Sequence, residues 1–141
     1  GRILADYCQS VAERAVPEWR ATIDALQGLP EIGRQAPIGY SGVSLASAIG
    51  ISLAAVEPRI TAAVFAWVSA HDALREAAKR VTIPIEFLLP LDDKEIPREF
   101  GFELFEAFAS QHKVLLAFPG GHRQVPTDGR IDTRFFARNL G

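Results

Sequence analysis

The chain has 141 residues, 48% of them hydrophobic, and 15 Lys and Arg against 17 Asp and Glu leave a formal charge of −2. That length and apolar content suit one globular domain or part of one, and the near balance of charge offers no electrostatic basis for a nucleic-acid or anionic-membrane partner. No apolar run approaches the roughly 18 residues of a membrane span, the start shows no signal-peptide pattern, and the single Cys8 cannot close an intrachain disulfide, which fits a reducing, cytoplasmic setting.

Methionine is absent throughout, position 1 included, so the left end is expected to lie inside a longer reading frame or to follow processing. Ile3, Leu4, Tyr7, Val11, Ala15, Trp19, Ile23 and Leu26 then recur every three or four residues, a helical period. Pro17 interrupts the series and fits best as the first residue of a second helix, with Glu18 in its first turn and Gly28 past its end. Cys8 lies on a face of this helical lead-in, 1–35, and reads as a structural cysteine. Leu29 to Gln35 is a loop, and Ala36 to Val43 a buried strand. Leu45 to about Val56 is small and apolar, as a helix packed closely on a sheet would be, and Pro58 ends it.

Ile60 to Trp67 is a continuous apolar run of strand length. Asp72 to Arg80 reads as a short helix, and Ile83 to Leu91 as a further strand with Pro84 near its start. Pro97 opens a helix with an apolar stripe of Phe100, Leu104, Phe105 and Phe108. Val114 to Phe118 is the last strand. After a loop from Pro119 to Gly129, a C-terminal helix is lined by Ile131, Phe135, Phe136 and Leu140. Strands and helices thus alternate over 36–141, which predicts an α/β fold with a parallel sheet and helices on both faces. The whole chain, 1–141, reads as a single domain or part of one.

Ligand sites in such sheets lie beyond the carboxyl ends of the strands, and three reactive residue types collect there. Gly42-Val43-Ser44-Leu45-Ala46 spans the turn from the first strand into its helix. A nucleophile on so tight a turn needs small residues two before and two after it, and Gly42 and Ala46 qualify. Ser41, in the overlapping string Gly39-Tyr40-Ser41-Gly42-Val43, would put the β-branched Val43 at a crowded position and would itself lie inside the strand. For Ser44 the plain alternative is a helix N-cap, a favoured place for serine. Asp92 and Asp93 follow the third strand, and His122 the fourth, in a Gly-Gly-His loop. Ser, Asp, His is the chain order of a serine hydrolase of this architecture, and the Leu45 N–H at the helix start would be a first donor to an acyl oxyanion. His71 and His112 fall elsewhere and read as structural or surface histidines.

The stretches Gly39-Tyr40-Ser41-Gly42-Val43-Ser44, Glu57-Pro58-Arg59-Ile60, Asp92-Asp93-Lys94-Glu95-Ile96-Pro97-Arg98-Glu99 and Pro119-Gly120-Gly121-His122 resemble the dienelactone-hydrolase-like branch of the α/β-hydrolases, which includes many bacterial serine esterases. The resemblance is to the C-terminal part of that fold, the elbow strand plus three more. It implies that the acid is Asp93, four residues before Pro97, in a triad with Ser44 and His122. Dienelactone hydrolases proper carry a cysteine where this chain has Ser44, so small esters or other lactones are the implied substrates. Only about 15 residues, Val68 to Thr82, stand where the fold often inserts a lid, which implies an open site.

By the same resemblance, four of the usual eight strands have no counterpart. The elbow strand would then be an apolar edge, open to a missing N-terminal half or to a second copy in a homodimer. That edge sustains a rival expectation, a non-catalytic half-domain that associates through it. No cofactor is implied. Three scattered histidines and one cysteine have no metal-ligand spacing, and Gly39-Tyr40-Ser41-Gly42 lacks the third glycine of a dinucleotide site.

Overall fold

The computed structural model describes residues 2–124 and 134–140. Its elements run α1 (Arg2–Gln27), β1 (Ile38–Val43), α2 (Leu45–Ala54), β2 (Ile60–Ala66), α3 (Asp72–Ala78), β3 (Ile85–Pro90), α4 (Arg98–Ala107), β4 (Lys113–Phe118) and α5 (Phe135–Asn139). The four strands form one parallel sheet in the order β1-β2-β3-β4, which leaves β1 at an edge. Of the residues assigned in sequence to the last loop and helix, 125–133, Gly129 and Ile131 among them, lie outside the described residues.

Alternation along the strands sends their side chains to two faces. Tyr40, Phe65, Phe87 and Leu89 point to one face, where Ile23 of α1, Ile51 and Leu53 of α2, Leu74 of α3 and Leu104 of α4 complete the main core. Phe108 stacks on Phe65 at 5.7 Å between ring centres and lies 6.0 Å from Phe87. Each of these buried aromatics contributes roughly 2–3 kcal/mol through the surface it removes from water. On the other face Ala66, Trp67, Leu88 and Phe118 form a smaller cluster, and α5 lays Phe136 and Leu140 against Gly39. Helices therefore lie on both faces, four on one and α5 on the other.

Two sequence expectations are corrected. The lead-in is one 26-residue helix that carries Pro17 in its interior, not two helices. Pro17 removes one N–H, and both it and Glu13, whose carbonyl loses that donor, are exposed, on the side of the helix that solvent reaches. Ile3, Leu4 and Tyr7 are 88%, 59% and 55% exposed and are not part of the buried face. A helix of this length spans about 39 Å, twice the roughly 20 Å of a six-residue strand. Its first turns therefore run past the carboxyl edge of the sheet, where Asp6 acts on His71, while Asp24 meets Arg59 at the opposite edge. Finally, Phe100 is exposed, and Gly101 takes its place on the buried stripe of α4. A Cβ at Gly101 would come within 2.4 Å of Leu89 Cδ1, so the Leu89 side chain of β3 fills the space beside this glycine and would have to move for a larger residue.

Candidate active site

Ser44 occupies the single residue between β1 and α2, with φ 55° and ψ −121°. A positive φ at a non-glycine residue costs about 1–3 kcal/mol and persists only where its surroundings impose it. Those surroundings are specific. The Ser44 N–H donates to the Ala66 carbonyl at 2.8 Å, and the Ser44 carbonyl accepts from the Ser47 N–H at 2.9 Å. Gly42 lies so close to α2 that a Cβ there would be 2.7 Å from the Ala46 carbonyl carbon and oxygen. From β1, Tyr40 Oη donates to the Ala46 carbonyl at 2.6 Å, and burial raises this phenol above its ordinary pKa.

An N-cap serine would bond its own helix through its side chain. Ser44 makes no such bond, and its Oγ lies 3.2 Å from His122 Nε2 instead. Ser41 lies within β1, paired with Val64. Leu45 is the first residue of α2, so its N–H has no acceptor within the helix and adjoins Ser44 at the positive end of the helix dipole.

His122 comes from the loop after β4. Its Nδ1 is 2.8 Å from Asp93 Oδ2, and the Asp93 side chain is only 2% exposed. Asp93 Oδ1 accepts the N–H groups of Glu95 at 2.8 Å and Ile96 at 3.0 Å. Burial by itself raises the Asp93 carboxyl pKa. The His122 bond and the two amides outweigh that and hold it below its ordinary value, so the group is an anion aimed at the imidazole.

The structure thus brings Ser44, His122 and Asp93 into one hydrogen-bonded row at the carboxyl edge of the sheet, with Leu45 beside it and Gly42 and Ala46 at the crowded positions. Asp92 bonds the Gly120 N–H rather than His122. His112 precedes β4, and its carbonyl accepts the Ile85 N–H. Burial, followed by the charge of Arg75, lowers the His71 pKa against the opposing pull of Asp72 and Asp6. An open depression of about 370 Å³ lies beside His122, between segments 92–95 and 120–124. Among the described residues no group of His, Cys, Asp and Glu could hold a metal ion, and no helix is long and apolar enough to cross a membrane.

Sequence reasoning overlooked Ser47. It is fully buried, and its Oγ accepts the Ala66 N–H at 2.8 Å and lies 2.6 Å from the Gly42 carbonyl oxygen. A serine on a close-packed helix face, where alanine would fill the space, is the one signal that pointed to it.

No protein-family model and no curated protein matches the sequence. Among solved structures, the chain is similar to a cold-adapted esterase from an Arctic intertidal metagenomic library, with TM-score 0.82 and 25% identity over 92% of this chain and 60% of that one. An esterase of Pyrococcus furiosus superposes with TM-score 0.77 at 15% identity, covering 93% of this chain and 64% of that one. Acetyl xylan esterase 1 from Thermoanaerobacterium sp. JW/SL YS485 does so with TM-score 0.69 at 18% identity, covering 83% and 50%. The chain therefore spans between half and two thirds of these structures, and its four-stranded sheet with covering helices is part of an α/β-hydrolase fold.

Proposed function

We propose that this chain carries the reacting residues of a serine hydrolase of small carboxylic esters or lactones. One observation carries the reading: Ser44 Oγ, both ring nitrogens of His122 and Asp93 Oδ2 stand in line, at 3.2 Å and 2.8 Å, on a backbone strained at the serine. Asp93 keeps the imidazole proton on Nδ1, which leaves Nε2 as the acceptor for the Ser44 hydroxyl proton. As that proton moves to Nε2, Oγ bonds to the ester carbonyl carbon, and the carbonyl electrons pass to an oxyanion facing the Leu45 N–H. Collapse of the oxyanion expels the alkoxide, which takes the proton from His122 and departs as the alcohol. Water then repeats the sequence on the acyl-serine and releases the acid. The named esterases among the structural neighbours support the substrate class, and the open depression beside His122 suits a small, soluble substrate.

The test is p-nitrophenyl acetate hydrolysis by the chain and by its Ser44→Ala variant, with organophosphonate labelling alongside. Turnover and label that vanish together in Ser44→Ala support the proposal, whereas hydrolysis indifferent to Ser44 sinks it. A second reading rests on β1 at the sheet edge, where Gly39, Ser41 and Val43 are exposed: a non-catalytic half-domain that associates through that edge. Silence towards the phosphonate, combined with a sedimentation mass above that of one chain, would favour it.

A further inference from the structure

The segments that carry Asp93 and His122 are tied together one residue before the first and two before the second. The Asp92 N–H donates to the Gly120 carbonyl at 3.0 Å, and the Gly120 N–H donates to Asp92 Oδ2 at 3.0 Å. Both backbone groups of one glycine therefore end on one aspartate. The preceding rung, Leu91 N–H to the Phe118 carbonyl at 2.8 Å, closes the regular pairing of β3 with β4, so the clasp carries that pairing beyond the strand ends.

Gly120 has φ +146°, a conformation open to glycine and closed to other residues. From it the chain enters a turn, Gly121 to Gln124, shut by Gln124 N–H to the Gly121 carbonyl at 3.0 Å and Gly121 N–H to Gln124 Oε1 at 2.7 Å. His122 is the second residue of this turn. Among the described residues, the two segments otherwise share the His122–Asp93 bond itself and an exposed Arg123–Glu95 pair at 4.0 Å.

We propose that Asp92 is a positioning residue for His122: its carboxylate clasps Gly120 and so sets the distance at which the imidazole meets Asp93 and Ser44. The inference rests on the hydrolase reading for its consequence in rate, and on geometry alone for its consequence in the position of the ring. A charge merely solvated at the surface would make no difference to either. The clasp needs an acceptor oxygen and not a charge, so the amide of asparagine serves and the methyl of alanine does not.

Two variants of the full chain, Asp92→Asn and Asp92→Ala, test this with two readouts. Long-range 1H–15N spectra of the His122 ring report its tautomer without turnover. Parent and Asp92→Asn show the Nδ1–H tautomer alone, and Asp92→Ala shows a mixture. The rate of Ser44 phosphonylation falls at least about tenfold in Asp92→Ala, since small misplacements of a base are costly, and Asp92→Asn recovers most of it. A parent-like spectrum or a parent-like labelling rate in Asp92→Ala overturns the proposal. If the parent itself does not label, the hydrolase reading has failed, and the spectra alone decide the positioning.

Discussion

Ser47 Oγ accepts the Ala66 N–H at 2.8 Å and lies 2.8 Å from the Ala66 carbonyl oxygen, the same oxygen that receives the Ser44 N–H. One buried hydroxyl thus joins the first turn of α2 to the last residue of β2, directly beneath the strained serine. Its single proton goes to one carbonyl, and Gly42 at 2.6 Å is nearer. Ser47→Ala leaves the Ala66 N–H buried without an acceptor, at a cost of about 1–3 kcal/mol. We expect a lower urea midpoint, and slower Ser44 phosphonylation measured well below the unfolding transition. Unchanged values of both would mean that the elbow is held by its backbone contacts alone.

Gly42 makes a sharper case, because what crowds it is backbone. A Cβ 2.7 Å from the Ala46 carbonyl group meets atoms that move only if α2 shifts as a whole. Gly42→Ala should reduce Ser44 labelling by about 10²-fold, the scale associated with displacing a reacting group by about an ångström. Ser41→Ala, one residue away, should leave it unchanged. Parent-like labelling of Gly42→Ala would show that α2 can move away from β1 without displacing Ser44.

Where a signal is local, the chain is easy to read. Each strand is a short apolar run bounded by Pro, Gly or charge, and the small residues around Ser44 follow from the tightness of its turn. Even the errors at the strand ends have local causes. Pro84 offers its carbonyl to the Ala63 N–H at 3.0 Å but has no N–H of its own, so β3 begins at Ile85. What was not legible depends on partners remote in sequence. Ser47 finds its donor, the Ala66 N–H, 19 residues away in β2, and Asp92 its amide 28 residues away. In sequence, one looked like helix filler and the other like a solvated charge. Phe100 falls outside the buried stripe for a related reason: helical period identifies a face, but only the packing of α4 on Leu89 shows that Gly101 lies at its centre.

Pro17 tests how much local preference gives way to tertiary packing. A proline inside a helix is about 3 kcal/mol less favourable than alanine, yet α1 continues through it, held by Ala12, Val16 and Ile23 on its buried face. Since Pro17 is exposed and its missing bond faces water, Pro17→Ala should stabilise the fold by about 1–3 kcal/mol, part of the gain being offset by the freer unfolded chain. Chemical denaturation measures this directly. A fall in stability would instead mean that the proline shapes the course of α1 over the sheet.

Glu57 predicts how the fold responds to acid. Its side chain is 2% exposed and lies between Arg59, at 2.7 Å from each carboxylate oxygen, and Arg20 at 3.2 Å, and Arg59 continues to Asp24 of α1 at 2.5 Å. The Arg59 hydrogen bond, against the opposing effect of burial and with help from the Arg59 charge and Arg20, lowers the Glu57 pKa from 4.5 to about 2. A carboxyl depressed in the folded state contributes stability that is complete above its unfolded pKa and is lost as pH falls through the folded one. The window is therefore pH 4.5 down to about 2, and the contribution roughly 3 kcal/mol. Unfolding free energies measured across that range should fall more steeply for the parent than for Glu57→Gln, which has no proton to take up. Glu57→Gln should also be less stable at pH 7, where it leaves two arginines without their shared anion. Parallel pH profiles for the two proteins would mean that the carboxylate is not what fastens α1 to the sheet.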